Sequence, residues 1–501
     1  MKRSICLTFT IFFTCYPISN VCAADYYVEA IAPLPVAPTG LVVPREDFDS
    51  SKGEVVFSKN NEQQLPAEQN NTSPGEQDQQ EVLDENVSGV DALPSNYVKI
   101  PALSAPEPGL TYPSFDALLQ SGRLRGGDRV FLQGGHHGKI LVKNIDFKTD
   151  VIIAAMPGSI AQVDGINVRG SSNIIFRDLK VWATSPGTTQ VAAIRTDKGS
   201  HDITFAKLDV RSVAAADNYL EWDITGWNKN TRGGFLVDGA RIKIVENRLT
   251  GTANSILAQG PSALIEANFI DGWGNDAMRA LGDNSTVRGN LLQNCFHISG
   301  NHDDGFQSFS RGPSGKPGTG TVRNLVVEGN KIFEWRSELV NPLRCKLQGI
   351  GLFDGMYENI AIRNNLISVS GYHGITVSGV KGAVIVQNTV VNSFGKSTPF
   401  PRIKVAPHKN GTLSSNVIVA NNISNAVRVK SDQDRNIVVA NNVTVTNLTS
   451  EFSSVEHQDF TLSKTAKARA MGAIEFAPPT DILGLPRPEG KTPDAGAFQA
   501  D

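Results

Sequence analysis

Through the second half of the chain, short apolar runs recur around a single amide side chain. Ile244-Val245-Glu246-Asn247-Arg248-Leu249, Leu264-Ile265-Glu266-Ala267-Asn268-Phe269, Val287-Arg288-Gly289-Asn290-Leu291, Val326-Val327-Glu328-Gly329-Asn330-Lys331-Ile332, Ile362-Arg363-Asn364-Asn365-Leu366-Ile367, Val384-Ile385-Val386-Gln387-Asn388-Thr389-Val390 and Ile418-Val419-Ala420-Asn421-Asn422-Ile423 are one phrase repeated: apolar strand, Asn, apolar strand. Amphipathic runs of about 10 residues, which a helical solenoid needs in each repeat, are missing. From Asn247 to Asn268 to Asn290 the phrases follow at the interval of one coil, so the pattern predicts stacked rungs that build one continuous core. The Asn residues are predicted to be structural, either stacking as an inward amide ladder or taking the left-handed turn conformation that Asn tolerates.

Ahead of the rungs, Ser114-Phe115-Asp116-Ala117-Leu118-Leu119 has helical spacing with Ser114 as N-cap, and Gly126 to Leu132 reads as a strand. A short helix there would cap the open end of the solenoid. Residues 24–107 are rich in Glu, Gln, Asn, Ser and Pro and are expected to be a disordered acidic and polar linker, too poor in apolar surface to offset the entropy of ordering. Residues 1–23 combine a basic start, an apolar stretch from Ile5 to Ile18 and small residues near Ala23. That is the pattern of a signal peptide, so the mature protein is expected to be secreted or periplasmic, with no membrane span. The β-helix is assigned to 108–450 and a closing segment to 451–501.

The repeated phrase resembles the pectin-lyase-like superfamily of right-handed parallel β-helices over most of 108–450, and Thr492 to Phe498 resembles the terminal segment of many bacterial members. The resemblance implies an all-β, right-handed parallel β-helix; it says far less about activity.

Composition agrees with many short strands and tight turns: 46 Gly among 501 residues and 7% aromatics. A formal net charge of −3 provides no basic field for nucleic acid. An acidic polysaccharide can still be held by a few cations gathered along one groove, and the chain is expected to act as a monomer. Cys295 and Cys345 are the two cysteines outside the signal segment; a disulfide and two buried thiols both remain open.

Aligning the strand before each phrase puts Asn254, Asp276, Asp304 and His373 in one column, each two residues before an inward apolar residue, while Leu257, Arg279, Gln307, Thr376 and Lys404 face outward. Charge is densest at Asn301-His302-Asp303-Asp304-Gly305-Phe306-Gln307, followed by Arg311. Asp276, Asp303 and Asp304 can bind calcium or share a proton; as an alternative, such Asp residues cap turn amides. Between Arg311 and Lys346 the rung length breaks, which points to a groove wall. There Trp335 is a candidate to stack on a sugar, or packs within the loop, and Arg344 and Lys346 are candidates to pair with uronate carboxylates.

Asn275-Asp276, Asp303-Asp304, Tyr372-His373-Gly374-Ile375 and Arg402-Ile403-Lys404 follow the motif order of polygalacturonase-type glycoside hydrolases. The resemblance implies three Asp that activate water and protonate the leaving group, assisted by His, Arg and Lys. Two departures stand against it: the family's Thr is absent between Asn275 and Asp276, and the rung of Leu347-Gln348-Gly349-Ile350 separates His373 from Asp304. β-Elimination, the chemistry of pectate and alginate lyases on this fold, instead needs a neutralised uronate carboxylate and a base. His302, His373 and Lys404 are candidate bases, with Arg279, Gln307, Arg311, Arg344, Lys346, Arg402 and His408 as substrate contacts. The sequence favours a polysaccharide lyase, ahead of a hydrolase, a uronate epimerase or a non-catalytic glycan-binding solenoid.

Overall fold

The computed structural model describes residues 23–31, 97, 98, 100, 102–184, 192–395, 400–430 and 432–500; the expected signal segment lies outside them, apart from Ala23. The chain winds as a parallel β-helix. Every rung contributes strands to three parallel sheets, of 15, 12 and 11 strands, and consecutive rungs are neighbours in each. Strands of three to six residues suit this architecture because alternate side chains enter the core while the turns change direction. The largest buried cluster runs unbroken from Tyr26 to Ile437. Among the described residues no helix is long and apolar enough to cross a membrane.

The Asn of the repeated phrase forms a ladder. Along Asn247, Asn268, Asn290, Asn330, Asn365, Asn388, Asn422 and Asn442, each residue but the last donates an Nδ2 hydrogen to the Oδ1 of the next, at 2.8 to 3.0 Å. That same Oδ1 also accepts the preceding ladder residue's backbone N–H. The residue just before each ladder Asn has positive φ, as at Glu246 (55°), Ala267 (56°), Gly329 (64°) and Gln387 (56°). Both sequence options are therefore realised, on adjacent residues: one turns the chain and the next plugs the corner.

Phe115–Gln120 is the capping helix, with Ser114 Oγ accepting from the Ala117 backbone N–H at 3.1 Å and Phe115 and Leu118 buried. The expected linker of 24–107 needs correction at both ends. Asp25–Val28 is a strand that pairs in parallel with both Leu110–Tyr112 and Arg129–Leu132, and Asp25 is ion-paired with Arg129 at 2.7 Å. Its Tyr-Tyr-Val supplies the apolar surface that the rest of the segment lacks. At the other end, Tyr97 lies against Gly289 and Gly329, where a Cβ would collide with its ring and its hydroxyl respectively. The Arg288 guanidinium sits 5.1 Å from the ring centre.

At the C-terminal end the last rung strand is Val443–Thr444. Phe452–Ser454 and Asp459–Leu462 then form an antiparallel pair. Ala495, Ala497 and Phe498 pack in a second buried cluster with Phe333, Leu366, Val391 and Ile423, so this segment lies along the solenoid's flank.

Candidate functional site

The site lies on the 11-stranded sheet. Asp276 pairs with Asp304 and Asp304 with Gln348, so the acidic column exists and the interposed rung places a Gln above it. The outward row is Leu257, Arg279, Gln307, Gly351, Thr376, Lys404 and Arg428 in successive strands. His373 stands opposite Arg402, one rung beyond Gln348.

The three carboxyl groups are buried, and burial is the main force on each. Asp276 is ion-paired with Arg279, its Oδ1 accepts the Asp304 backbone N–H at 3.2 Å, and burial outweighs the guanidinium so that its pKa is raised. Asp304 is fully buried; Gln307 Nε2 donates to its Oδ2 at 2.7 Å while Oδ1 has no partner. Desolvation and then the neighbouring Asp276 push it well above the usual carboxylate range. Asp303 is raised to about 7, by burial first, against the lowering effect of His297. His297 Nδ1 lies 2.7 Å from Asp303 Oδ2, and Asp303 Oδ1 is buried and unpartnered.

Beside this column opens a cleft of about 470 Å³. Its lining includes His297, His302, Asp303, Arg344, Lys346, Gln348 and Tyr372. Its wall is stapled: Cys295 and Cys345 form a disulfide with Cα atoms 5.4 Å apart, Phe296 bridges Arg344, and the His297 backbone N–H donates to Leu343 O at 2.7 Å. Neither cysteine is a free thiol.

Of the residues singled out from sequence, His302, Asp303, Arg344 and Lys346 line this cleft, with Asp276 and Asp304 on the adjoining strands. Arg344 is also committed to Glu334, donating from Nε at 2.9 Å and Nη2 at 2.6 Å. His373 lies toward the next rungs, its Nδ1 2.7 Å from Thr376 Oγ1, and is lowered to about 4 by burial, then by the positive fields of Lys404 and Arg402. Arg402 packs over the Tyr372 ring at 5.1 Å.

Other candidates are placed elsewhere. Trp335 is not a sugar platform: it is buried with Phe296, Tyr219, Trp222 and Trp227, and its indole N–H donates to Leu339 O at 3.0 Å. The segment carrying Ala216–Glu221 and Ile224–Asn230 packs against it, which answers the choice between stacking and packing. Arg311 reaches Gln259, and His408 is buried beyond the Arg402–Ala406 strand; neither lines the cleft. For calcium the donor set fits poorly, since the Asp276 carboxylate is answered by Arg279 and no three His, Cys, Asp or Glu side chains converge on one point among the described residues.

One cleft residue was missed from the sequence. His297 sits after a strand end, outside the periodic columns, and reaches Asp303 only because the chain returns six residues later. Its spacing from Cys295, which anchors the wall, was the available signal.

The rungs, register and ladder define a right-handed parallel β-helix with a polar cleft on one sheet. Residues 233–398 match the family model described as the right handed beta helix region, so the resemblance to the pectin-lyase-like superfamily holds at the level of the fold. Solved structures similar to this chain include pectate lyase Pel9A, at 16% identity over 78% of this chain and 91% of that one, with a TM-score of 0.40. The A-module of the Azotobacter vinelandii mannuronan C-5 epimerase AlgE6 is similar at 14% identity over 66% and 94%, TM-score 0.41. PL6 family alginate lyase AlyGC is similar at 14% over 73% and 58%, TM-score 0.32. No curated protein sequence matches the chain.

Proposed function

We propose that this protein is an exported enzyme that binds an acidic polysaccharide along the 11-stranded sheet and cleaves it by β-elimination in the cleft beside Asp303. The observation that carries the reading is the make-up of that cleft. Arg344, Lys346, His302 and His297 surround a single buried carboxyl, a distribution suited to a polyanion that must lose its charge before it reacts. A hydrogen on the carbon next to a carboxylate becomes acidic only when the carboxylate is neutralised. Lys346, exposed and with no ion pair among the described residues, is suited to that task, with Arg344 beside it. Lys404 and Arg428 continue the cationic row along the sheet and would hold the polymer beyond the scissile bond. The disulfide supports an oxidising compartment.

Hydrolysis is the second reading, favoured by Asp303 itself. A carboxyl raised to about 7 retains a proton near neutral pH and can serve as a general acid. The two are separated by product. Incubation with uronate-containing polysaccharides should raise both the ultraviolet absorbance of an unsaturated sugar and the count of reducing ends. Reducing ends alone would indicate hydrolysis, and binding without either product would make the solenoid a glycan-binding module.

A further inference from the structure

His297 lines the cleft and takes no step in the elimination as described so far. Its side chain is 53% exposed while that of Asp303 is 5% exposed, so a wet imidazole is held by a dry carboxyl. Nδ1 is the nitrogen that faces Asp303 Oδ2, at 2.7 Å. Once Asp303 is ionised, above about pH 7, its carboxylate keeps the ring proton on Nδ1 and leaves the Nε2 lone pair to whatever occupies the cleft. Nε2 makes no hydrogen bond or ion pair among the described residues. The backbone that carries the ring is tied to the cationic wall by the Cys295–Cys345 disulfide and by the His297 N–H bond to Leu343 O.

We infer that His297 is the catalytic base of the elimination and that Asp303 is the residue that positions it, an assignment that rests on the β-elimination reading of the cleft. The proton on the carbon next to the uronate carboxyl passes to His297 Nε2. The electron pair left behind forms the carbon–carbon double bond, and the carbon–oxygen bond to the departing sugar breaks with its pair going to oxygen. The imidazolium returns its proton to that oxygen, so water is not consumed and the ring ends neutral. Lys346 and Arg344 face the same cleft, as do His302 and Tyr372. The two cations hold the carboxylate.

The test compares the full chain with His297→Ala and Asp303→Asn, using a uronate polymer that the unaltered protein degrades. His297→Ala should lower kcat by at least about 100-fold, the span of one general base, with polymer affinity retained, a native circular dichroism spectrum and partial recovery on adding imidazole. Asp303→Asn should lower kcat less and displace the acid limb of the kcat/KM profile, which loss of packing alone would not do. If the unaltered protein forms no unsaturated product, the elimination reading fails and this assignment with it. If it does and His297→Ala retains more than half the rate, only the base assignment is overturned; an unmoved pH profile in Asp303→Asn removes Asp303 from the role of positioning residue.

Discussion

The amide ladder from Asn247 to Asn442 and the column of Asp276, Asp304 and Gln348 are both stacks of buried polar side chains, repeated rung by rung in one solenoid. In the ladder every amide but the last donates to the next amide, and all eight also donate to a main-chain carbonyl in the adjacent rung, as Asn290 does to Ile265 O at 3.0 Å. In the acidic stretch, Asp303 and Asp304 each keep a buried oxygen with no partner and have raised pKa values. Burial is common to the two; completeness of the partner set is not. A buried polar group with all its bonds made adds rigidity, whereas one left short stores a demand that a substrate or proton can meet.

The largest effect should come from releasing the staple beside the acidic column. Changing Cys295 and Cys345 to Ser frees a loop with a sequence separation of 50, for which chain entropy predicts a loss of about 4 kcal/mol. Denaturant unfolding would measure it, and cleavage should fall with it because His297 and Arg344 are no longer held together. An unfolding midpoint insensitive to reductant in the unaltered protein would count against the staple.

Breaking the ladder comes next. Asn290→Ala leaves two Asn268 donors and the Ile265 carbonyl without their amide partner, a loss of about 3 kcal/mol. If ladder and site are as distinct as their bonding suggests, kcat of the folded variant is unchanged at low temperature.

The carboxyl next to the acidic column sets it apart from the ladder by pH. The native pKa of Asp303, about 7, exceeds its reference value of 3.8, so between those values the folded state holds a proton that the unfolded chain has released. Its contribution to stability is therefore fully present below about 4 and is lost as pH rises toward about 7. Asp303→Asn should gain in thermal midpoint relative to the unaltered protein across that interval. A constant difference would mean that the carboxyl titrates alike in both states. The smallest change is expected of Trp335→Phe, which should cost about 1 kcal/mol of stability by altering a packed core and leave polymer affinity within about twofold. A tenfold loss of affinity would restore the sugar-stacking role that its burial denies.

What could be read from sequence follows the same divide. The ladder and strand register were legible because they are periodic: a residue two before an inward apolar position repeats its role in every rung, which is how Asp276 and Asp304 could be aligned. His297 belongs to no column, and only the return of the chain to Asp303 makes it part of the cleft. Trp335 was ambiguous because the segment that buries it lies about 110 residues earlier in sequence. The strand Asp25–Val28 escaped notice since its partners begin only at Leu110, on the far side of a long polar stretch that dominated the local composition.

The spacing of the ladder carries one more consequence. Successive members are separated by 21, 22, 40, 35, 23, 34 and 20 residues, while the amide bonds between them stay at 2.8 to 3.0 Å. Coil length has thus been freed from coil geometry. The segments at other corners, the cleft wall included, can lengthen, shorten or be exchanged without renegotiating the scaffold, so the shape of the cleft is open to change by insertion as well as by substitution.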